Sequence, residues 1–156
     1  MDEQNQLLSF SNPVFNAYAF YAVIIVLKVL TMAVNTGRLR QKNTAFSNPE
    51  DAILFGIEPS KKNVNVKHPD VERFVRAHRN DLENIISFLF VGFLYVLTDP
   101  PYDISIYCFR IFTLARIIHS VSSVKGYLFG KYCSFGVGLL TTIFMIYKVL
   151  ITSKYY

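Results

Sequence analysis

Four apolar stretches limit what this 156-residue chain can fold into. A helix needs about 20 mainly apolar residues to cross a bilayer core. The first stretch contains a single charge, Lys28, and the third and fourth carry few charges. The apolar part of the second, 84–98, is short, so its helix must begin earlier, within the polar run RFVRAHRNDLE. The sequence therefore predicts an all-α membrane protein, one domain of four transmembrane helices at about 14–36, 74–98, 104–124 and 134–151, with a long loop at 37–73.

Charge distribution predicts how the spans are oriented. Only 17% of residues are charged and 52% are hydrophobic, which excludes a disordered chain and disfavours a soluble enzyme. Nine of the 16 Lys and Arg residues lie between the first two spans or at the start of the second. They are Arg38, Arg40, Lys42, Lys61, Lys62, Lys67, Arg73, Arg76 and Arg79. The positive-inside rule places the 37–73 loop in the cytosol and both termini across the membrane. Because these charges flank apolar spans, nucleic acid is not an expected partner.

Polar residues at the start of the second span form a column on the predicted helix. At about 100° per residue, one face carries Glu72, Arg76, Arg79, Asn80, Glu83 and Ser87, whereas His78 and Asp81 lie away from it. Glu72 and Arg73 are interpreted as a solvated helix start. Asn80, Glu83 and Asn84 lie directly before or at the start of apolar sequence, and charge facing lipid is costly. We therefore expect these three side chains to face the bundle interior or a wet cavity.

The third span carries a matching polar face of Arg116, His119, Ser120 and Ser123. An unpaired Arg116 in mid-span would cost at least about 3 kcal/mol, so a carboxylate of the second span, notably Glu83, is its expected partner. A structural ion pair and a role in ligand contact are equally compatible with this pattern. No metal site is expected, because no second His or Cys lies at ligand spacing from His119. Together the two faces predict a cationic pocket at the cytosolic membrane boundary, suited to a small, multiply anionic ligand.

Three segments resemble one family of membrane proteins. The stretch ERFVRAHRNDLE at 72–83, with AFSNPEDA at 45–52 and ARIIHS at 115–120, is similar to the signature motifs of the MAPEG family of membrane glutathione enzymes. The resemblance covers nearly the whole chain. It implies a homotrimer of four-helix subunits, with glutathione as co-substrate bound between neighbouring subunits near the cytosolic face. It further implies a multi-pass protein of the endoplasmic reticulum membrane, with the outer mitochondrial membrane as a second location.

The resemblance also implies an activity and a set of site residues. The expected reaction is conjugation of the glutathione thiolate to hydrophobic electrophiles, with peroxidase activity on lipid hydroperoxides as an additional expectation. The matching glutathione contacts are Arg38, Arg76, His78, Arg79, Asn80, Glu83 and His119. Arg116 and Lys131 are the candidate catalytic cations that favour the thiolate.

Two departures from the family pattern leave a second function open. The tyrosine that follows the third-span motif in the family is replaced by Ser123. The next loop reads KGYLFGKYCS, with Lys131 or Tyr132 nearest the position of a family arginine. A lysine supplies charge but not the planar fork of a guanidinium group. The alternative is therefore a non-enzymatic scaffold of the same family that binds lipid and presents it to a partner.

Overall fold

Five helices make up the part of the chain that the computed structural model describes, residues 7–153. They are α1 (Pro13–Lys42), α2 (Pro49–Leu54), α3 (Pro69–Val96), α4 (Tyr102–Lys125) and α5 (Leu128–Thr152). No strand occurs in this range; backbone pairing outside the helices is an isolated bridge between Phe46 and Val64. The all-helical prediction is confirmed.

Local sequence explains where the helices begin and end. The Asn12 side chain accepts hydrogen bonds from the backbone N–H groups of Val14 (2.8 Å) and Phe15 (3.2 Å) and so caps α1. Helices α1, α2 and α3 each begin with proline, whose fixed φ suits the first helical position. Helix α4 ends at Lys125 and is capped by Gly126, whose φ of 78° lies in the left-handed region.

Helix α3 begins earlier than the sequence pattern indicated. Its first residue is Pro69, ahead of the polar run in which the helix was expected to start, and the acids Asp70 and Glu72 lie in its first turn. Acidic side chains at this position stabilise a helix because they face the positive end of its dipole. Helix α1 also continues past its predicted end at 36 to Lys42, so the connection between α1 and α3 is shorter at both ends than the predicted 37–73 loop, and it contains α2.

Three of the described helices, α1, α4 and α5, are long and apolar enough to cross a membrane. Helix α3 is similarly long, but its first half carries the polar run, so the second predicted span, at 74–98, stays a prediction. Large apolar side chains such as Phe20, Leu30 and Leu140 point outward, whereas Asp81 and Arg116 are buried. This reversal of the usual soluble pattern suits a protein whose outer surface faces lipid.

An aromatic cluster packs the interior of the bundle. Phe88 of α3 stacks on Phe112 of α4 with ring centroids 3.9 Å apart, and Phe109 packs edge-on against both Phe88 and Tyr18. The Tyr18 hydroxyl of α1 donates to the backbone oxygen of Leu89 at 2.7 Å. These contacts tie α1, α3 and α4 together.

Helices α1 and α3 approach each other closely at Gly92. A Cβ atom placed on Gly92 would lie 2.9 Å from Cε2 of Tyr18, whose ring is held by Phe109 and by its own hydrogen bond. We expect Gly92→Ala to destabilise the protein by about 1–3 kcal/mol through overpacking. Its thermal unfolding midpoint in detergent should therefore fall.

The control is Gly136→Ala on α5, where an added Cβ would meet nothing within 4 Å. Alanine favours a helix over glycine by up to about 1 kcal/mol, so this variant should not lose stability. Equal midpoints for Gly92→Ala and the unaltered protein would contradict the proposed close packing.

Candidate functional site

A cavity of about 580 Å³ opens where the basic ends of α3, α4 and α5 meet. Its charged and polar lining comes from all three helices. These residues are Arg73, Arg76, Arg79, Asn80, Glu83, His119, Ser123 and Lys131. Four cations and one carboxylate thus line this cavity. Such an excess of positive charge attracts an anion that carries more than one negative group.

Helix α3 supplies most of this lining. Arg76, Arg79, Asn80 and Glu83 share the face that the periodicity predicted, while Glu72 and Ser87 do not line the cavity. Arg73, interpreted from sequence as solvated, does line it. The Arg79 Nε and Glu83 Oε1 atoms are 3.5 Å apart, and both side chains are largely exposed. This pair is the expected i,i+4 interaction, and its exposure leaves both groups available to a ligand.

Behind the cavity, three charged side chains form a buried ionic cluster. Asp81 accepts a hydrogen bond from Arg116 Nη2 at 2.8 Å and forms a second ion pair with Lys28 of α1. Ser120 donates to Asp81 Oδ2 at 2.9 Å. The side chains of Asp81 and Arg116 are both fully buried. Helices α1, α3 and α4 each contribute one charge, and the Asp81 carboxylate neutralises in part the two cations, Lys28 and Arg116.

The expected pairing of Arg116 with Glu83 is wrong, since Asp81 is its carboxylate partner. Asp81 lies on the stripe of α3 that faces the interior, together with Ile85 and Phe88, whereas Glu83 faces the cavity. Lys28 and Asp81 are the residues that sequence reasoning missed. The sequence did contain an indication of this pair, because Lys28 is the single charge in an apolar span and a membrane-embedded charge requires a partner.

Arg116 connects the cluster to the cavity. Its Nη2 atom donates to Asn80 Oδ1 at 2.7 Å and lies 3.4 Å from His119 Nδ1. Its Nε and Nη1 atoms have no hydrogen-bond partner among residues 7–153. Arg116 itself does not line the cavity, so it reaches that space through Asn80 and His119.

The opposite side of the cluster borders a second, apolar cavity of about 460 Å³. Its walls include Met32, Phe74 and Val121, and both Lys28 and Ser120 reach it. The ionic cluster therefore separates a polar space from an apolar one.

Two of the predicted glutathione contacts lie outside the polar cavity. Arg38 is exposed on α1, and His78 is half-buried on α3, with an Nδ1 atom that has no hydrogen-bond partner in the described range. Cys133 is exposed and lines a separate apolar groove between α4 and α5. Among residues 7–153, no group of three His, Cys, Asp or Glu side chains could hold a metal ion.

Comparisons with known proteins agree on one family. Residues 18–151 match the MAPEG family. The chain is 41% identical to human microsomal glutathione S-transferase 1 over 143 residues, which cover 91% of this chain and 92% of the relative. It is 38% identical to the mouse protein of the same name over 99% of both chains. It is also 38% identical to prostaglandin E synthase of Macaca fascicularis over 74% of this chain and 73% of that one. The chain therefore belongs to the MAPEG family.

Proposed function

We propose that this protein binds glutathione in the polar cavity and transfers its thiolate to hydrophobic electrophiles. The observation that carries the proposal is the cavity lining, in which four cations and one carboxylate converge at one end of an apolar bundle. Relatives named microsomal glutathione S-transferase 1 support the choice of ligand.

Glutathione complements this lining group by group. It carries two carboxylates, one ammonium group and one thiol. Arg76 and Arg79 can bind carboxylates through their planar forks, Glu83 can accept from the ammonium group, and Asn80 and His119 can orient the peptide. Arg73 adds a further cation.

Chemistry on the bound thiol requires its deprotonated form. An ordinary cysteine thiol has a pKa near 8.5, and a nearby cation lowers it. Lys131 lines the cavity and is the cation that we assign to the thiolate. The sulfur then forms a bond to the electrophilic carbon while the leaving group departs with the bonding electrons. Alternatively, two glutathione molecules reduce a lipid hydroperoxide to an alcohol and water and form a disulfide. The bilayer concentrates either apolar substrate next to the site.

Assembly into a homotrimer would complete the site. Arg38 and His78 lie outside the cavity of one subunit, and a binding site between subunits could recruit them from a neighbouring copy. The proposed orientation places the basic end in the cytosol, where glutathione is available, with the protein resident in the endoplasmic reticulum membrane.

The first test is equilibrium binding of glutathione to the detergent-purified protein. We expect saturable binding and a loss of about 10- to 100-fold in affinity for Arg79→Ala, since a charge-assisted hydrogen bond contributes about 1.5–3 kcal/mol. The matched control is Arg110→Ala, because Arg110 lies on α4 outside the cavity and donates to Tyr21 at 3.1 Å. Lipid binding without glutathione binding would refute the proposal and support the lipid-presenting scaffold.

A second test asks whether neighbouring copies share the site. Arg38→Ala and Arg79→Ala should each bind glutathione weakly, because each lacks one contact. If the two arginines act from different copies, randomly mixed oligomers of the two variants should regain wild-type affinity at about a quarter of their sites. Equilibrium titration of the mixed oligomers measures that fraction. Recovery at no site would mean that Arg38 and Arg79 do not serve one site across subunits.

A third test concerns turnover. Lys131→Ala should lower kcat for conjugation by at least about tenfold, with a smaller change in KM, because the lost charge acts on the thiolate. The ultraviolet thiolate absorbance of bound glutathione should fall in parallel. Lys131→Arg keeps the charge and should retain most of both signals. An unchanged thiolate signal in Lys131→Ala would remove Lys131 from this role.

A further inference from the structure

Asn80 has a fixed orientation at the cavity wall. Its side-chain oxygen accepts from Arg116 Nη2 at 2.7 Å. Its amide nitrogen makes no hydrogen bond within the described part of the chain, and the residue lines the cavity. An amide has one acceptor oxygen and a nitrogen with two donor hydrogens. With the oxygen occupied, Asn80 offers donors to a ligand.

The ionic cluster prevents the Asn80 side-chain amide from rotating by half a turn. Arg116 makes its hydrogen bonds through Nη2 alone, and Asp81 holds that atom at 2.8 Å. Asp81 is in turn fixed by Lys28 and by Ser120. If the Asn80 amide rotated by half a turn, its NH₂ group would face the guanidinium NH₂, and the Nη2 hydrogen that bonds Asn80 Oδ1 would lose its acceptor. Leaving a buried donor unsatisfied costs about 1–3 kcal/mol.

We infer that Lys28, Asp81 and Arg116 are positioning residues that hold Asn80 as a hydrogen-bond donor toward the cavity. This inference rests on the proposed glutathione site. The ligand group at Asn80 is accordingly an acceptor, a carboxylate or a peptide carbonyl oxygen, and the ammonium group lies elsewhere. Glu83, the carboxylate in the cavity lining, is the group that suits the ammonium.

Charge alone does not account for this arrangement. An ion pair between Asp81 and Arg116 could form through any of the guanidinium nitrogens. Instead, the nitrogen that meets Asp81 is the same one that meets Asn80. The position of Asp81 therefore sets the position of the donor that fixes the Asn80 amide.

The experiment is a double-mutant cycle on glutathione affinity with Asn80→Ala and Arg116→Lys. Lysine keeps the positive charge beside Asp81 but lacks the forked nitrogen that reaches Asn80. We expect Asn80→Ala to weaken binding by about tenfold or more. Arg116→Lys should weaken binding by several-fold in the wild-type background and should have a markedly smaller effect in Asn80→Ala, because the route through Asn80 is then absent and only the 3.4 Å contact with His119 Nδ1 remains. Arg110→Ala, which lies on α4 outside the cavity and contacts neither residue of the cycle, is again the control.

Additive effects in that cycle would overturn the inference, since a general structural role for Arg116 would act in both backgrounds. Unchanged affinity in Arg116→Lys would overturn it as well. If the wild-type protein does not bind glutathione, the proposed function fails and this inference fails with it. Wild-type binding combined with additive effects rejects the inference alone.

A second variant leaves the ionic cluster in place, which covers the case in which Arg116→Lys does not fold. Asn80→Asp has nearly the same volume and can still accept from Arg116, but it presents an acceptor where the amide presents donors. We expect it to remain folded by size-exclusion chromatography and to bind glutathione at least as weakly as Asn80→Ala. Wild-type affinity in Asn80→Asp would mean that Asn80 is not used as a donor, contrary to the inference.

Discussion

The ion pair between Asp81 and Arg116 is the interaction on which the interior of this bundle depends. Both side chains are fully buried, and Lys28 brings a second cation to the same carboxylate. An uncompensated charge inside a membrane protein is costly, so α1, α3 and α4 are fixed relative to one another by the need to keep these groups together. The aromatic contacts of Phe88, Phe109 and Phe112 pack the same three-helix region farther from the basic end.

This constraint also shapes the cavity. Asp81 faces the interior of the bundle, and its chain neighbour Asn80 faces the boundary between the cluster and the polar space. The exposed groups Arg79 and Glu83 then lie toward the open side, where a soluble ligand can reach them. One rotational setting of α3 thus determines which side chains hold the bundle together and which remain available for binding.

Much of this arrangement could be predicted from the sequence, and the errors have an identifiable cause. The helical bundle, the polar face of α3 and the need of Arg116 for a carboxylate all followed from apolar length and helical periodicity. The prediction that Glu83 pairs with Arg116 was wrong because the inward face of α3 was assigned from the positions of its polar residues. The apolar residues Ile85, Phe88 and Tyr95 define the buried stripe instead, and Asp81 falls on it at helical spacing. The role of Lys28 depended on how α1 packs against α3, which no local pattern contains.

A buried ion pair is a weak way to stabilise a bundle, because desolvation cancels most of the attraction between the charges. Apolar side chains of similar volume could pack the same space. The cluster differs from such packing in two respects. It fixes the direction of hydrogen-bonding groups at the cavity wall. Its two cations and one anion also leave an excess positive charge behind Asn80 and His119. Both properties favour an anionic ligand with acceptor oxygens, so the buried charges have a clearer role in recognition than in stability.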